Sequence, residues 1–144
     1  MSFTSWATSP QPLHCAERNA DAGGNGVHIF YTGPHHSAEI RTNFHAAWDS
    51  EIILDAHYDW GDYVAHLEHE WLPGKDETAI AQGDLVSWAN ECHAQAIKAY
   101  ALLPADFTLT NFQFKSEVPI VDEQLAKAGV RLAAVLNAAL AAGN

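Results

Sequence analysis

The sequence has few basic residues and no long apolar run. Seven Lys and Arg stand against 18 Asp and Glu, which gives a formal net charge of −11. A broad basic surface for polyphosphate is therefore excluded, and any contact with nucleic acid must be local, through bound metal or aromatic stacking. No apolar run reaches the roughly 18 residues that cross a bilayer, so we predict no membrane partner.

Cysteines and targeting signals are scarce as well. Cys15 and Cys92 are too few for a zinc ribbon or a disulfide scaffold, and the sequence leaves open whether they pair or stay reduced. Residues 1–10 have neither the basic nor the apolar segment of a signal peptide, so we expect no export signal in this chain. We predict an irregular or unrelated segment at 1–10, followed by one domain at 11–144.

Apolar residues and histidines are abundant. Apolar residues make up 48% of the 144 positions, enough for the core of one domain. Nine histidines are a high number for a chain of this length. Because neutral imidazole is the commonest metal ligand in proteins, this excess favours metal binding.

Residue periodicity predicts a mainly α-helical fold with a small β-hairpin. The short run at 27–31, ended by Gly33-Pro34, indicates a strand, with a partner near 38–41. Helical spacing and capping residues indicate four helices, at 43–56, 62–72, 77–102 and from Pro119 to a point just before Gly143. The last helix has apolar residues every three or four positions, which is typical of a seam packed against other helices.

One helix face offers two metal ligands. His45 and Asp49 lie four residues apart in the helix predicted at 43–56, so both side chains emerge on the same side. An imidazole and a carboxylate placed this way can share one zinc ion, and His14 is the candidate for a third ligand. Three protein ligands leave one coordination position open for water or a phosphate oxygen, as in catalytic zinc sites.

Spacing alone does not separate this site from a solvated helix pair, since a histidine and an acid four residues apart are common on helix surfaces. A second group, formed by His66, His69 and Glu70, also has helical spacing. We interpret that group as a polar helix face rather than a metal site.

Short motifs around the first group are more specific than its spacing. The chain reads QPLH at 11–14, GGN at 23–25 and TNFHAAWDS at 42–50. The segments SWANE at 87–91 and PIVDEQLAKAGVRLA at 119–133 fit the same pattern. From residue 11 to its C-terminus, the chain resembles the zinc-dependent single-strand nucleases. This is the family of mung bean nuclease and the plant bifunctional nucleases, and it belongs with the zinc phospholipases C.

The resemblance implies a helical bundle of the zinc phospholipase C and nuclease type with a small β-hairpin. It also implies a trinuclear zinc cluster that hydrolyses single-stranded DNA and RNA and removes 3′-phosphates from nucleotides. His14, His45 and Asp49 match the ligands of one zinc. Asn25 matches a loop residue that donates to the scissile phosphate. The location that the resemblance implies is secreted or periplasmic.

The resemblance also predicts what this chain lacks. The other zinc ligands of the family come from an N-terminal half that we expect to be missing, and Thr4 and Thr8 stand where the family has a His and an Asp. Because threonine is not among the usual zinc ligands, we expect one retained zinc site and impaired activity. One alternative is a non-catalytic helical remnant that binds one zinc or none. Another is one half of a split nuclease, which self-associates or takes up a complementary N-terminal half.

Overall fold

A computed structural model describes residues 11–143, so the prediction for the segment 1–10 lies outside the described residues. The described chain is mainly helical with a small sheet, as predicted. It begins with a 3₁₀ turn at Pro12–Cys15, which is followed by a β-hairpin and then by a series of helices.

The predicted hairpin forms, and a third strand extends it. β1 (His28–Tyr31) pairs antiparallel with β2 (Ile40–Asn43), so the second strand starts later than the predicted partner at 38–41. β3 (Thr108–Leu109) was not predicted; it pairs parallel with β1 and gives the order β2-β1-β3. A strand of two residues is too short to show alternation, which is why periodicity did not detect it.

The first helix, α1, covers residues 44–56 as predicted. Its consecutive pieces are Phe44–Ala46, the π-helical stretch Ala47–Glu51, and Ile52–Ala56. The side chain of Asn43 accepts a hydrogen bond from Ala46 N at 2.8 Å and so caps the helix at its predicted start.

The helices that follow agree only partly with the prediction. The second helix, α2, covers residues 60–71, close to the predicted 62–72, and consists of Trp60–His66 and the π-helical stretch Leu67–Trp71. The single helix predicted at 77–102 is wrong, because the structure has α3 (Glu77–Ala81) and α4 (Leu85–Leu102) there. Gly83 separates them with a φ of +105°, and Asp84 caps α4 by accepting from Ser87 N at 2.8 Å.

The last helix, α5 (Asn111–Ala141), begins well before Pro119, so the predicted start was wrong. Thr110 caps it by accepting from Phe112 N at 3.3 Å, and Gln113 completes the capping box. This box begins the helix at a position where periodicity gave no signal. Pro119 then lies inside the helix, where it removes one backbone donor without ending the helix.

The core lies where the sheet, the 3₁₀ turn, α1 and α4 meet α5. Its largest fully buried apolar and aromatic side chains are Leu13, Tyr31, Phe44, Trp48, Ile52, Tyr63 and Leu109. The 3₁₀ turn and α1, which carry the predicted metal ligands, therefore pack directly against the core.

An apolar groove of about 430 Å³ lies between α2 and α5, and we call it the α2–α5 groove. A second cavity of about 220 Å³ adjoins it and reaches His14 and Asp49. Trp60 and Leu125 line both, and Trp60 is 64% exposed. In the part of the chain that the structure describes, no helix combines the length and the apolar character needed to cross a bilayer.

Candidate metal site

A 3₁₀ turn holds the first predicted ligand. Buried Gln11 precedes the turn, and its side-chain oxygen accepts a hydrogen bond from Leu13 N. Pro12 and Leu13 are also buried, which anchors the turn in the core. His14 projects outward from this anchored turn, with 44% of its side chain exposed.

Two glycines bring the following loop back against α1. Gly23 and Gly24 have φ angles of +64° and +86°, which residues with a side chain rarely adopt. A Cβ on Gly23 would lie 2.7 Å from Leu13 O, and one on Gly24 would lie 3.2 Å from the side chains of Leu13 and Phe44. The loop fits between the 3₁₀ turn and α1 because both residues lack a side chain.

The other two predicted ligands lie on α1. The helix buries its opposite face, where each side chain is at most 1% exposed: Phe44, Ala47, Trp48 and Ile52. His45 and Asp49 lie on the remaining face, with 15% and 41% of their side chains exposed. The apolar spacing of α1 therefore decides where its two ligands point.

The three predicted ligands converge. His14 Nε2 lies 3.5 Å from Asp49 Oδ1, and His45 Nε2 lies 3.4 Å from Asp49 Oδ2. One ligand atom from each of the three residues lies within 4.8 Å of the other two. Donors about 2.1 Å from a tetrahedral zinc are about 3.4 Å apart, so two imidazole nitrogens and a carboxylate in this arrangement suit that metal.

Two neighbouring groups orient these ligands. His45 Nδ1 lies 2.7 Å from the Gly23 carbonyl oxygen, which can only accept, so Nδ1 donates and Nε2 keeps its lone pair for a metal. Gln11 Nε2 donates to Asp49 Oδ1 at 3.0 Å and holds the carboxylate in place. Sequence reasoning missed both roles, although Gln11 and Gly23 stand inside the quoted motifs and those motifs were the available signal.

The electrostatics favour a neutral imidazole at His14. Burial lowers the pKa of this side chain below its ordinary value of 6.5; the Asp49 carboxylate opposes this and His45 adds to it. Since neutral imidazole is the form that binds metal, the lowered pKa favours coordination at neutral pH.

Asn25 lies outside the three-ligand group, in the exposed part of the glycine loop. Its side-chain Nδ2 donates to Ala22 O at 2.9 Å. A primary amide carries two N–H donors, and this bond uses one of them. Gly24, the residue before Asn25, contacts the candidate site: its carbonyl oxygen accepts a hydrogen bond from His45 N at 3.4 Å.

The His66 group is arranged differently. His66 Nδ1 lies 3.4 Å from Glu70 Oε2, and its Nε2 lies 3.2 Å from Asp122 Oδ2 on α5. The carboxylates face different nitrogens, and His57 lies against the ring with 4.7 Å between centroids. Among residues 11–143, the set of converging metal donors includes neither His66 nor His69. His66, Glu70 and Asp122 form a network that links α2 to α5 and is ionic when His66 is protonated; we call it the ion-pair network.

Comparison with known proteins identifies the family. The family described as S1/P1 Nuclease matches residues 9–141, which is nearly the whole chain. The chain therefore belongs to the S1/P1 nuclease family.

Several curated relatives are named as nucleases. Endonuclease 1 of Arabidopsis thaliana is 30% identical over 142 residues, which cover 88% of this chain and 44% of the relative. Endonuclease 3 of the same plant is 31% identical over 141 residues, covering 88% and 46%. Nuclease S1 of Aspergillus oryzae is 27% identical over 147 residues, covering 88% and 48%. The chain thus spans less than half the length of each of these relatives.

Proposed function

We propose that this chain is part of a zinc-dependent nuclease that hydrolyses single-stranded DNA or RNA and 3′-nucleotides. The observation that carries the proposal is the convergence of His14, His45 and Asp49, whose donor set suits a zinc ion with an open fourth position. Membership of the S1/P1 nuclease family supports phosphodiester hydrolysis as the reaction class. The family resemblance also supports a secreted or periplasmic location, which fractionation of producing cells tests.

In this proposal each residue has a defined role. His14, His45 and Asp49 hold one zinc, and Gln11 orients the carboxylate. The bound metal supplies Lewis-acid stabilisation of charge on the phosphate. Asn25 donates to a phosphate oxygen from the glycine loop. Since the chain carries a net charge of −11, the rest of its surface repels the substrate and binding depends on this local site.

We also propose that the chain by itself is impaired. The described residues provide a single group of three converging metal donors, whereas the resemblance implies a cluster of three zincs. A mechanism that uses several metals needs ligands beyond this group. We therefore expect cleavage of single-stranded DNA to be far slower than with a full-length relative.

Measuring zinc content and nuclease activity on the same purified sample tests these proposals. We expect one zinc per chain, slow cleavage of a single-stranded oligonucleotide, and loss of both zinc and cleavage in His45→Ala. His66→Ala is the matched control and should keep both. Full activity with more than one zinc per chain would contradict the impairment, and failure to bind zinc would contradict the site.

The first alternative is a non-catalytic helical remnant. His45→Ala would then change zinc retention and thermal stability, while neither the parent chain nor the variant cleaves DNA above the rate of a zinc-free control. Slow cleavage that depends on His45 would exclude this alternative.

The second alternative is one half of a split nuclease. The α2–α5 groove favours it, because exposed Trp60 joins this apolar surface to the cavity beside His14 and Asp49. Light scattering should show self-association that Trp60→Asp reduces. Phe112→Asp is the control, since Phe112 is 76% exposed and does not line the groove. A strictly monomeric chain with no tendency to associate counts against this alternative.

A further inference from the structure

Two cysteines that are distant in sequence meet beside the 3₁₀ turn. Cys15 is the last residue of the turn, and Cys92 lies in α4. Their side chains are close enough to interact with each other. Cys92 is 5% exposed, whereas Cys15 is only partly buried and can be reached by a solute.

Contacts on both sides hold the turn against α4 at this point. Cys92 Sγ lies 3.7 Å from Gln11 O and 3.6 Å from Pro12 O, both at the start of the turn. At the end of the turn, His93 Nδ1 lies 2.9 Å from Cys15 O. A disulfide requires close approach of the two backbones, and these contacts hold the turn against α4 beside both cysteines.

From this juxtaposition we propose that Cys15 and Cys92 are a disulfide-forming pair. In the structure both are free thiols, and oxidation would join the turn that carries His14 to α4. The cross-link does not depend on the proposed nuclease activity, because it needs neither a metal nor a substrate.

The chemistry is thiol–disulfide exchange with a small disulfide such as oxidised glutathione. Cys15, as the accessible thiol, gives its proton to water, attacks one glutathione sulfur and releases the first glutathione as a thiolate. Cys92 then attacks the Cys15 sulfur and releases the second glutathione, which takes up the Cys92 proton. Two protein thiols are oxidised and one glutathione disulfide is reduced to two thiols.

Cys15 stands next to His14, so its use as an additional metal ligand is the competing role. The converging donors within residues 11–143 are His14, His45 and Asp49, without Cys15. The Cys15 side chain interacts with Cys92 instead. The structure therefore favours covalent pairing over metal binding for this thiol.

The experiment incubates the folded, zinc-free chain with reduced and oxidised glutathione, followed by acid quench and intact mass measurement. We expect a product lighter than the reduced chain by two hydrogen atoms, and a linked peptide containing Cys15 and Cys92 in a non-reducing digest. Because the bond closes a long loop, the melting temperature should rise by about 10 °C and return to its original value on reduction.

Single serine substitutions identify the order of events. Cys92→Ser should stop at a mixed disulfide between glutathione and Cys15, while Cys15→Ser should remain largely unmodified because its remaining thiol is buried. The proposal is overturned if wild-type protein keeps two alkylatable thiols after oxidation, if it pairs only in urea, or if it forms intermolecular dimers instead. These readouts use wild-type protein, so they hold even where a serine variant fails to fold.

Discussion

Two pairs of a histidine and a carboxylate, at the same spacing, have different surroundings in this chain. His45 and Asp49 lie four residues apart on α1, and His66 and Glu70 lie four residues apart on α2. In the first pair, His14 approaches the same carboxylate, so three donors converge. In the second, Asp122 approaches the other nitrogen of His66, so the ring lies between two acids. The two pairs thus differ in which member contacts a third group. His14 faces the carboxylate of the first pair, which makes a candidate metal site, whereas Asp122 faces the histidine of the second, which makes the ion-pair network.

Removing one imidazole from each pair gives the largest expected difference. His45→Ala should weaken zinc binding about 100- to 1,000-fold, because structural zinc sites bind the ion with roughly 10–16 kcal/mol shared among four protein ligands, which is about 2.5–4 kcal/mol for each ligand. The control variant, His66→Ala, should bind zinc as tightly as the wild type. Competition with a fluorescent zinc chelator measures both affinities. An equal loss of zinc affinity in the two variants would show that His45 has no special role in binding the metal.

Glu117 extends the comparison to a buried acid without a partner. It lies on α5, as Asp122 does, but it is 0% exposed and neither carboxylate oxygen has a hydrogen-bond partner in the described part of the chain. Burial raises the pKa of Glu117 from 4.5 to about 7. The charged form is therefore disfavoured in the folded state, and the stability present below pH 4.5 is lost as the pH rises through 7.

Replacing Glu117 by Gln should remove this pH dependence. At pH 8 the variant should have a free energy of unfolding about 3 kcal/mol higher than that of the wild type, with little difference at pH 4. Urea unfolding at both pH values measures the change. A wild-type stability that stays constant between these pH values would show that Glu117 gains a partner when charged.

The ion-pair network should contribute to stability without zinc, whereas the candidate metal site should not. Asp122→Asn should lower the free energy of unfolding by about 2 kcal/mol, because Asp122 is buried and accepts from Tyr63 at 2.8 Å as well as facing His66. Asp49→Asn should change it by less than about 0.5 kcal/mol in the metal-free chain, since this side chain is 41% exposed. Urea unfolding in the presence of a chelator compares the two, and a larger loss for Asp49→Asn would reverse their assignment.

The smallest expected effect concerns the residue that orients the carboxylate. Gln11→Ala should weaken zinc binding about 10-fold, because Asp49 loses the donor that fixes one of its oxygens. Gln82→Ala serves as the control, since Gln82 is exposed and lies on a different segment, between α3 and α4. Zinc titration by calorimetry should separate the two variants. An unchanged zinc affinity in Gln11→Ala would show that the hydrogen bond from Gln11 to Asp49 does not contribute to metal binding.

Local signals in the sequence predicted the first two helices and the three candidate metal ligands that the structure brings together. The cap at Asn43 placed α1 correctly, because a cap acts on residues within one turn of it. Longer-range features were missed. Gln11 reaches Asp49 across 38 positions and His66 reaches Asp122 across 56, and residue spacing carries no information on such pairs. Pro119 was misread because a proline is favoured in the first turn of a helix, whereas the capping box at Thr110 starts this helix earlier and leaves Pro119 in its interior.

The parallel pairing of β3 with β1 has a consequence for synthesis of the chain. Phe30 pairs with Thr108 and Tyr31 with Leu109, so the sheet cannot be completed until the ribosome has released residue 109. The β1–β2 hairpin emerges much earlier and has an unpaired edge while α1 to α4 are still being made. An open strand edge can pair with other chains. Nascent chains of this protein should therefore be most prone to aggregate when translation is arrested before residue 108 has been made.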